Sequence, residues 1–310
     1  MERDTGGPPM SREGADHTLG QRRDEKARIA SALLDLENHP GHKLLNGARL
    51  SGETRRRWDD TQARITSLWR TFDTYGRVLD RAERLRGRHP RLGQAELEEL
   101  TWLLTGPSAE LPPQEVPRAR RTQLGPTGER LTLEEVVTRM TTTFKEAAAM
   151  VSAADAAWSV LLPRLEEVEQ SWRTVRRLHA SLGTPERDRD GIGRRLAEAR
   201  KAVLADPLSL VHDGRTDTTG LDRLRSDLSA RRSELADTAR IRQDDLRGRL
   251  EAGRAEVARL GHADDAELAR LRRQARDLLG ATPCDLRRAT AAVAGYERAV
   301  GELRQAAESD

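Results

Sequence analysis

The chain of 310 residues contains one cysteine, Cys284. A single thiol excludes an intrachain disulfide and any zinc site built from cysteine pairs, so nothing here needs an oxidising compartment. Aromatic residues are also scarce, at 3% of the chain. So few large rings argue against the thick core of a large α/β enzyme and favour thin helix-on-helix packing. Lysine is nearly absent: beside Lys26, Lys43, Lys145 and Lys201, arginine supplies all of the 54 basic side chains. No apolar run approaches the roughly 18–20 residues of a bilayer-spanning helix. The N-terminal stretch, with Gly6, Gly7, Pro8 and Pro9, lacks the apolar segment of a secretory signal. The expected location is the cytoplasm.

What the chain has is charge of both signs. Charged residues make up 34%, and 54 basic groups against 51 acidic ones leave a net charge of +3. That charged fraction exceeds the roughly 25% of ordinary globular domains. Arginine pairs such as Arg176–Arg177, Arg231–Arg232 and Arg272–Arg273 recur with acids nearby, as on solvated helix surfaces. A nucleic-acid binder concentrates positive charge on one face, so this pattern argues against nucleic acid as a partner. The densest exception is the stretch from Arg118 to Arg130, in which Arg118, Arg120, Arg121 and Arg130 stand against the single acid Glu129. A basic loop of this kind suits either a phosphate or acidic partner, or a solvated linker.

Apolar periodicity predicts an all-α fold: an elongated helical bundle of antiparallel coiled-coil hairpins with long heptad helices. Residues 1–20 read as a disordered tail, and a helix is expected from Asp24 to Glu37. After a loop through Asn46 and Gly47, a long helix is expected from Gly52 to Arg86. In it Trp58, Ile65, Phe72 and Leu79 fall seven apart, with Leu68, Tyr75 and Ala82 between them. A shorter helix from Gln94 to Leu104 completes an N-terminal helical hairpin region over 21–105. Five prolines between Gly106 and Gly128 mark 106–130 as a Pro/Arg-rich linker and the best domain boundary.

The region 131–310 carries the strongest signal. Thr132 and Glu135 predict a capping box. From there Val137, Phe144, Val151, Trp158, Leu165 and Trp172 repeat every seven residues, with Met140, Ala147, Ala154, Leu161, Val168 and Val175 between them. The helix is expected to reach Leu182, with Pro163 kinking or splitting it. Gly183 and Thr184–Pro185 end it and start the next helix, followed by a polar loop from His212 to Thr219. A further helix is expected from Gly220 to Leu260, with Arg242 and Gly253 interrupting its seam. Two more follow, one from Asp264 to Leu279 and one from Thr282–Pro283 onward.

No motif for chemistry emerges. There is no Gly-Lys-Ser/Thr phosphate loop, no Gly-x-Ser-x-Gly elbow and no His-Glu-x-x-His helix. His39 and His42 flank Pro40–Gly41 and read as turn residues, without a third ligand nearby. His179 sits on the seam, where one polar residue fixes register. Asp213 and Asp217 lack the calcium-loop spacing and read as helix caps. Cys284 is expected at a helix N-terminus, which lowers a thiol pKa. No catalytic residue, metal or cofactor is expected.

The function these features suggest is a non-enzymatic scaffold or adaptor that mediates protein–protein interaction or self-association, including a homo-oligomer closed by its heptad seams. Trp158, Trp172, Arg118, Arg120 and Arg121 are the candidate interaction residues. The alternative is a peripheral membrane-associated coiled coil of a stress-response or membrane-remodelling type, with the helix at Asp24 to Glu37 as its amphipathic element.

Overall fold

The computed structural model describes residues 9–88, 92–111, 129–184 and 191–309. Among them the chain is all-α, with nine helices and two short antiparallel ladders. Contacts divide it into two compact units, one formed by residues 1–159 and 204–216, the other by 160–203 and 217–310.

The first unit is built on α1 (Arg12–Asn38), α2 (Pro40–Gly47), α3 (Gly52–Arg88), α4 (Gln94–Thr105) and the first half of α5 (Leu133–Leu182). The expected tail is corrected: residues 12–20 are helical, and only 1–8 of the tail lie outside the described residues. Ser11 caps α1 by accepting from the Gly14 amide at 3.1 Å. Ala15 and Leu19 are buried. Polar pairs hold α1 on α3: Asp16–Arg86 at 2.5 Å, Arg23–Glu83 at 2.6 Å and Lys26–Asp80 at 2.9 Å. Partner numbers rise along α1 as they fall along α3, so the two helices run antiparallel. Helix α2 replaces the expected loop. His39 stays outside it as its cap, with Nδ1 accepting from the Gly41 amide at 3.1 Å. The α3 seam packs as its spacing predicts, with Trp58, Ile65, Leu68, Tyr75, Leu79 and Ala82 buried.

The Pro-rich stretch is not where the units divide. Strand β1 (Ala109–Leu111) pairs with β2 (Glu129–Leu131), joining both ends of the stretch inside the first unit; residues 112–128 lie outside the described residues. The division falls instead between 159 and 160, within α5.

Helix α5 opens with the predicted capping box. The Thr132 amide donates to Glu135 Oε2 at 2.8 Å, and the Glu135 amide donates to Thr132 Oγ1 at 3.2 Å. Pro163 does not split the helix, which is unbroken for 50 residues. Proline removes one amide donor and crowds the carbonyl four residues back, a cost of about 3 kcal/mol. Burial of Ala157, Trp158, Leu161, Leu165 and Val168 on either side offsets that cost.

The second unit contains the rest of α5, α6 (Ile192–Ala205) to Val203, α7 (Thr219–Arg259), α8 (Ala266–Gly280) and α9 (Leu286–Ser309). Residues 185–190, where a helix start was expected at Pro185, lie outside the described residues. Helix α5 ends as a Schellman motif at Gly183 (φ 63°): the Thr184 amide donates to the His179 carbonyl at 3.2 Å and the Gly183 amide to that of Ala180 at 3.1 Å. Ion pairs Arg164–Asp222 (2.7 Å) and Glu167–Arg225 (3.6 Å) are both offset by the same number of residues, so α5 and α7 run parallel. Glu169–Arg200 at 3.6 Å and Arg195–Asp227 at 2.8 Å fit α6 returning antiparallel to both. Helices α5 and α6 thus run antiparallel, whereas α5 and α7 run parallel.

Both interruptions of the α7 seam have partners. Arg242 Nη1 donates to the Leu182 carbonyl at the end of α5 (2.7 Å), and beside it Gln243 Nε2 donates to the Leu279 carbonyl at the end of α8 (2.6 Å). At Gly253 a Cβ would lie 2.8 Å from Tyr296 Cε1, so the missing side chain admits the ring from α9.

Of the polar loop expected from His212 to Thr219, residues 212–216 belong to the first unit and 217–219 to the second. A 3-10 turn (Pro207–Leu210) precedes a hairpin of β3 (Val211–His212) and β4 (Arg215–Thr216). Asp213 (φ 51°) and Gly214 (φ 73°) form its tip. Asp213 is thus a turn residue. Asp217 does cap, accepting from the Thr219 amide at 2.9 Å.

Candidate functional site

Of the predicted interaction residues, the two tryptophans fall in different units. Trp158 is 3% exposed and belongs to the core of the first unit. Trp172 is half-buried in the second unit. Arg118, Arg120 and Arg121 lie outside the described residues. Cys284 departs from expectation: α9 starts at Leu286, and Asp285 supplies its cap by accepting from the Arg288 amide at 3.1 Å. The thiol points instead at the Leu278 carbonyl at 3.4 Å. Burial pushes its pKa up rather than down. His179 is buried on the seam and its Nδ1 lies 2.9 Å from Thr184 Oγ1, so it helps close the α5 terminus. His42 packs edge-on against Trp58 at 5.2 Å, and burial lowers its pKa. Among the described residues no group of acids, histidines and cysteine is placed to hold a metal.

Two polar constellations in the first unit serve packing. Tyr75 is fully buried between α1 and α3, and its hydroxyl donates to Glu25 Oε2 at 2.7 Å, with the Arg22 carbonyl 3.2 Å away. Burial, then the bond to Glu25, drives its pKa far upward. A strongly perturbed group marks a site only where something can reach it, and this hydroxyl is sealed. The second constellation caps α3 from far along the chain. Asp206 Oδ1 and Oδ2 accept from the amides of Thr54 (2.7 Å) and Glu53 (3.1 Å). Gly52 makes room for it: its φ is +57°, and a Cβ there would lie 1.8 Å from Asp206 Oδ2. The Leu208 amide adds a bond to Thr54 Oγ1 at 3.0 Å. The carboxylate occupies the positive end of the helix and satisfies donors that have no helical partner.

In the second unit, charge is sorted by height. Glu166, Glu167 and Glu169 share one stretch of α5, whereas residues 170–184 carry Arg173, Arg176 and Arg177 and no acid. The offset of the α5–α7 ion pairs brings Arg231 and Arg232 of α7 level with Arg173. The antiparallel pairing brings Arg194 and Arg195 of α6 to within about a turn of the same height. Acids pair with much of this charge: Glu169 with Arg173, Glu198 with Arg194, Asp227 with Arg195, Glu234 with Arg231 and Asp237 with Arg240. Arg195 Nε is buried and has no hydrogen-bond partner. On the α5 side, Arg173, Arg176, Arg177 and Ala180 line a shallow concavity of about 630 Å³.

Sequence reading missed this belt because it comes from three separate helices. Its one local signal was the acid-free run from 170 to 184, hidden by a whole-chain balance close to neutral. No family model, curated protein or solved structure matches the chain.

Proposed function

We propose that the chain is a non-enzymatic scaffold or adaptor that mediates protein–protein interaction or self-association. The observation that carries this reading is the use of its long helices. Helix α5 has 50 residues and α7 has 41, about 75 and 60 Å of helix at 1.5 Å per residue. Each spends one stripe on packing and leaves another as an extended, charged face, a shape suited to presenting a docking surface. Tyr75, with the largest pKa shift, is out of a substrate's reach, which supports the non-enzymatic reading. The membrane alternative loses its amphipathic element, because Leu33 and Leu36 of α1 are buried within the first unit. No described helix is long and apolar enough to cross a membrane.

Affinity purification of the tagged full chain from its native host, followed by light scattering on the eluted species, tests the proposal. A stoichiometric protein partner, or a defined homo-oligomer, is expected. A monomer that elutes alone, or one that pellets with anionic vesicles at low salt, overturns it.

A further inference from the structure

We propose that α2 is an acid-operated latch of the first unit, held against α3 and α5 only while the imidazoles of His39 and His42 are neutral. Both rings use Nδ1 as an acceptor. His39 Nδ1 accepts from the Gly41 amide at 3.1 Å and so caps the helix. His42 Nδ1 accepts from Asn46 Nδ2 at 3.3 Å. The direction of this second bond is fixed from α3, because Gln62 Nε2 donates to Asn46 Oδ1 at 3.1 Å and leaves the amide nitrogen for the ring. A protonated imidazole carries a hydrogen on both nitrogens and has no lone pair with which to accept. One proton on each ring therefore removes the cap and the tie to Asn46 and Gln62 together.

Helix α2 has eight residues, and a helix this short depends on tertiary contacts for its stability. Leu45 is buried, and the edge-on contact of His42 with Trp58 ties α2 to α3. Gly41 sits so close to α5 that a Cβ there would lie 2.6 Å from the Val151 carbonyl oxygen. Burial lowers the His42 pKa from its ordinary 6.5. The Glu37 carboxylate and carbonyl of α1 act the other way, and the neighbouring His39 lowers it further. The Glu37 carboxylate is also engaged by Trp69 Nε1 at 2.7 Å. Helix α3 meets His42 through Trp58 and, by way of Asn46, Gln62, neither of them charged. On α2 itself Lys43 follows His42, and from α5 Asp155 lies against the Gly41 position beside His39. The support from a neutral His42 is thus full above about pH 6.5 and declines as pH falls through the lower folded value. Release uncovers the face of Trp58 that His42 covers, so the first unit gains an apolar surface in acid.

Hydrogen exchange of the full chain at about pH 7 and about pH 5, corrected for the intrinsic pH dependence of exchange, tests the latch. Protection of the α2 amides is expected to fall about tenfold or more in acid, while α1, α3 and α4 change little. His39→Asn keeps a capping acceptor that does not titrate, and His42→Phe keeps a ring against Trp58 that takes no charge. The H39N/H42F variant should therefore hold its α2 protection at about pH 5. His17, exposed on α1 beside Gln21, is the control, and H17N should behave as the parent does. Should circular dichroism show the double variant unfolded at about pH 7, H39N alone is read in its place and should lose less protection than the parent. Undiminished α2 protection in the parent at about pH 5, the same loss in parent and variant, or a loss running equally through α1, α3 and α4 overturns the proposal.

Discussion

The two units reach stability by different means. The first holds seven of the nine aromatic residues, namely Trp58, Trp69, Phe72, Tyr75, Trp102, Phe144 and Trp158, whereas the second has Trp172 and Tyr296. Its charged side chains are spread along the α1–α3 seam as pairs, and its buried polar groups have local partners in Glu25 and Asp206. The second unit packs mainly aliphatic stripes, and ion pairs such as Arg164–Asp222, Arg195–Asp227 and Arg249–Glu297 join its helices. Large rings and matched pairs fix a unique packing in the first unit. In the second, thin aliphatic packing is supplemented by ion pairs between neighbouring helices.

The sharpest way to break this comparison is to remove one ring from each unit. Trp158→Ala should cost about 3–5 kcal/mol, the loss expected for a buried aromatic, whereas Trp172→Ala should cost about half as much because its ring is half-buried. Urea unfolding measures both, and equal losses would mean that the two cores are built alike. Gly52→Ala comes next, at about 2–3 kcal/mol, since it forces an alanine to φ +57° and expels Asp206 from the α3 cap. Hydrogen exchange should then rise at the start of α3 and leave α8 and α9 protected.

Gly253→Ala tests the second unit. In an open helix this change stabilises by about 0.5–1 kcal/mol. Here the added Cβ meets Tyr296, so a net loss of about 1–2 kcal/mol is expected. Pairing it with Tyr296→Leu should recover most of the loss, and a gain in the single variant would show that the ring yields freely. The smallest effect concerns acid. The hydrogen bond from Arg86 lowers the pKa of Asp16, so its contribution is present above the unfolded value of about 3.9 and is lost as pH falls through the lower folded value. Asp16→Asn should flatten the decline in stability of the parent below about pH 4, and an unchanged acid limb would show that the pair contributes nothing.

What could be read from the sequence was periodic or local. The α3 and α5 seams, the Thr132–Glu135 box and the stop at Gly183 were legible because heptads and caps act within a few turns. The first turns of α1 were not, because Arg12 to Arg23 are mostly polar and gain their helical partners from α3. Helix α2 is only eight residues long, too short for a periodic signal. The Asp213–Gly214 hairpin carried a readable turn signature that the surrounding polarity masked.

The sequence by itself determined that the chain is helical, which faces are buried and where most long helices stop, because those follow from side-chain spacing and backbone capping. Only the tertiary structure decided that α5 survives Pro163, that Arg242 and Gly253 are fitted positions in the α7 seam, and that Asp206 caps a helix more than 150 residues before it in the chain. It also decided that His39 and His42, on either side of Pro40–Gly41, both accept hydrogen bonds through Nδ1. Which protonation state a ring favours depends on its neighbours in space, and for His42 these come from α1 and α3.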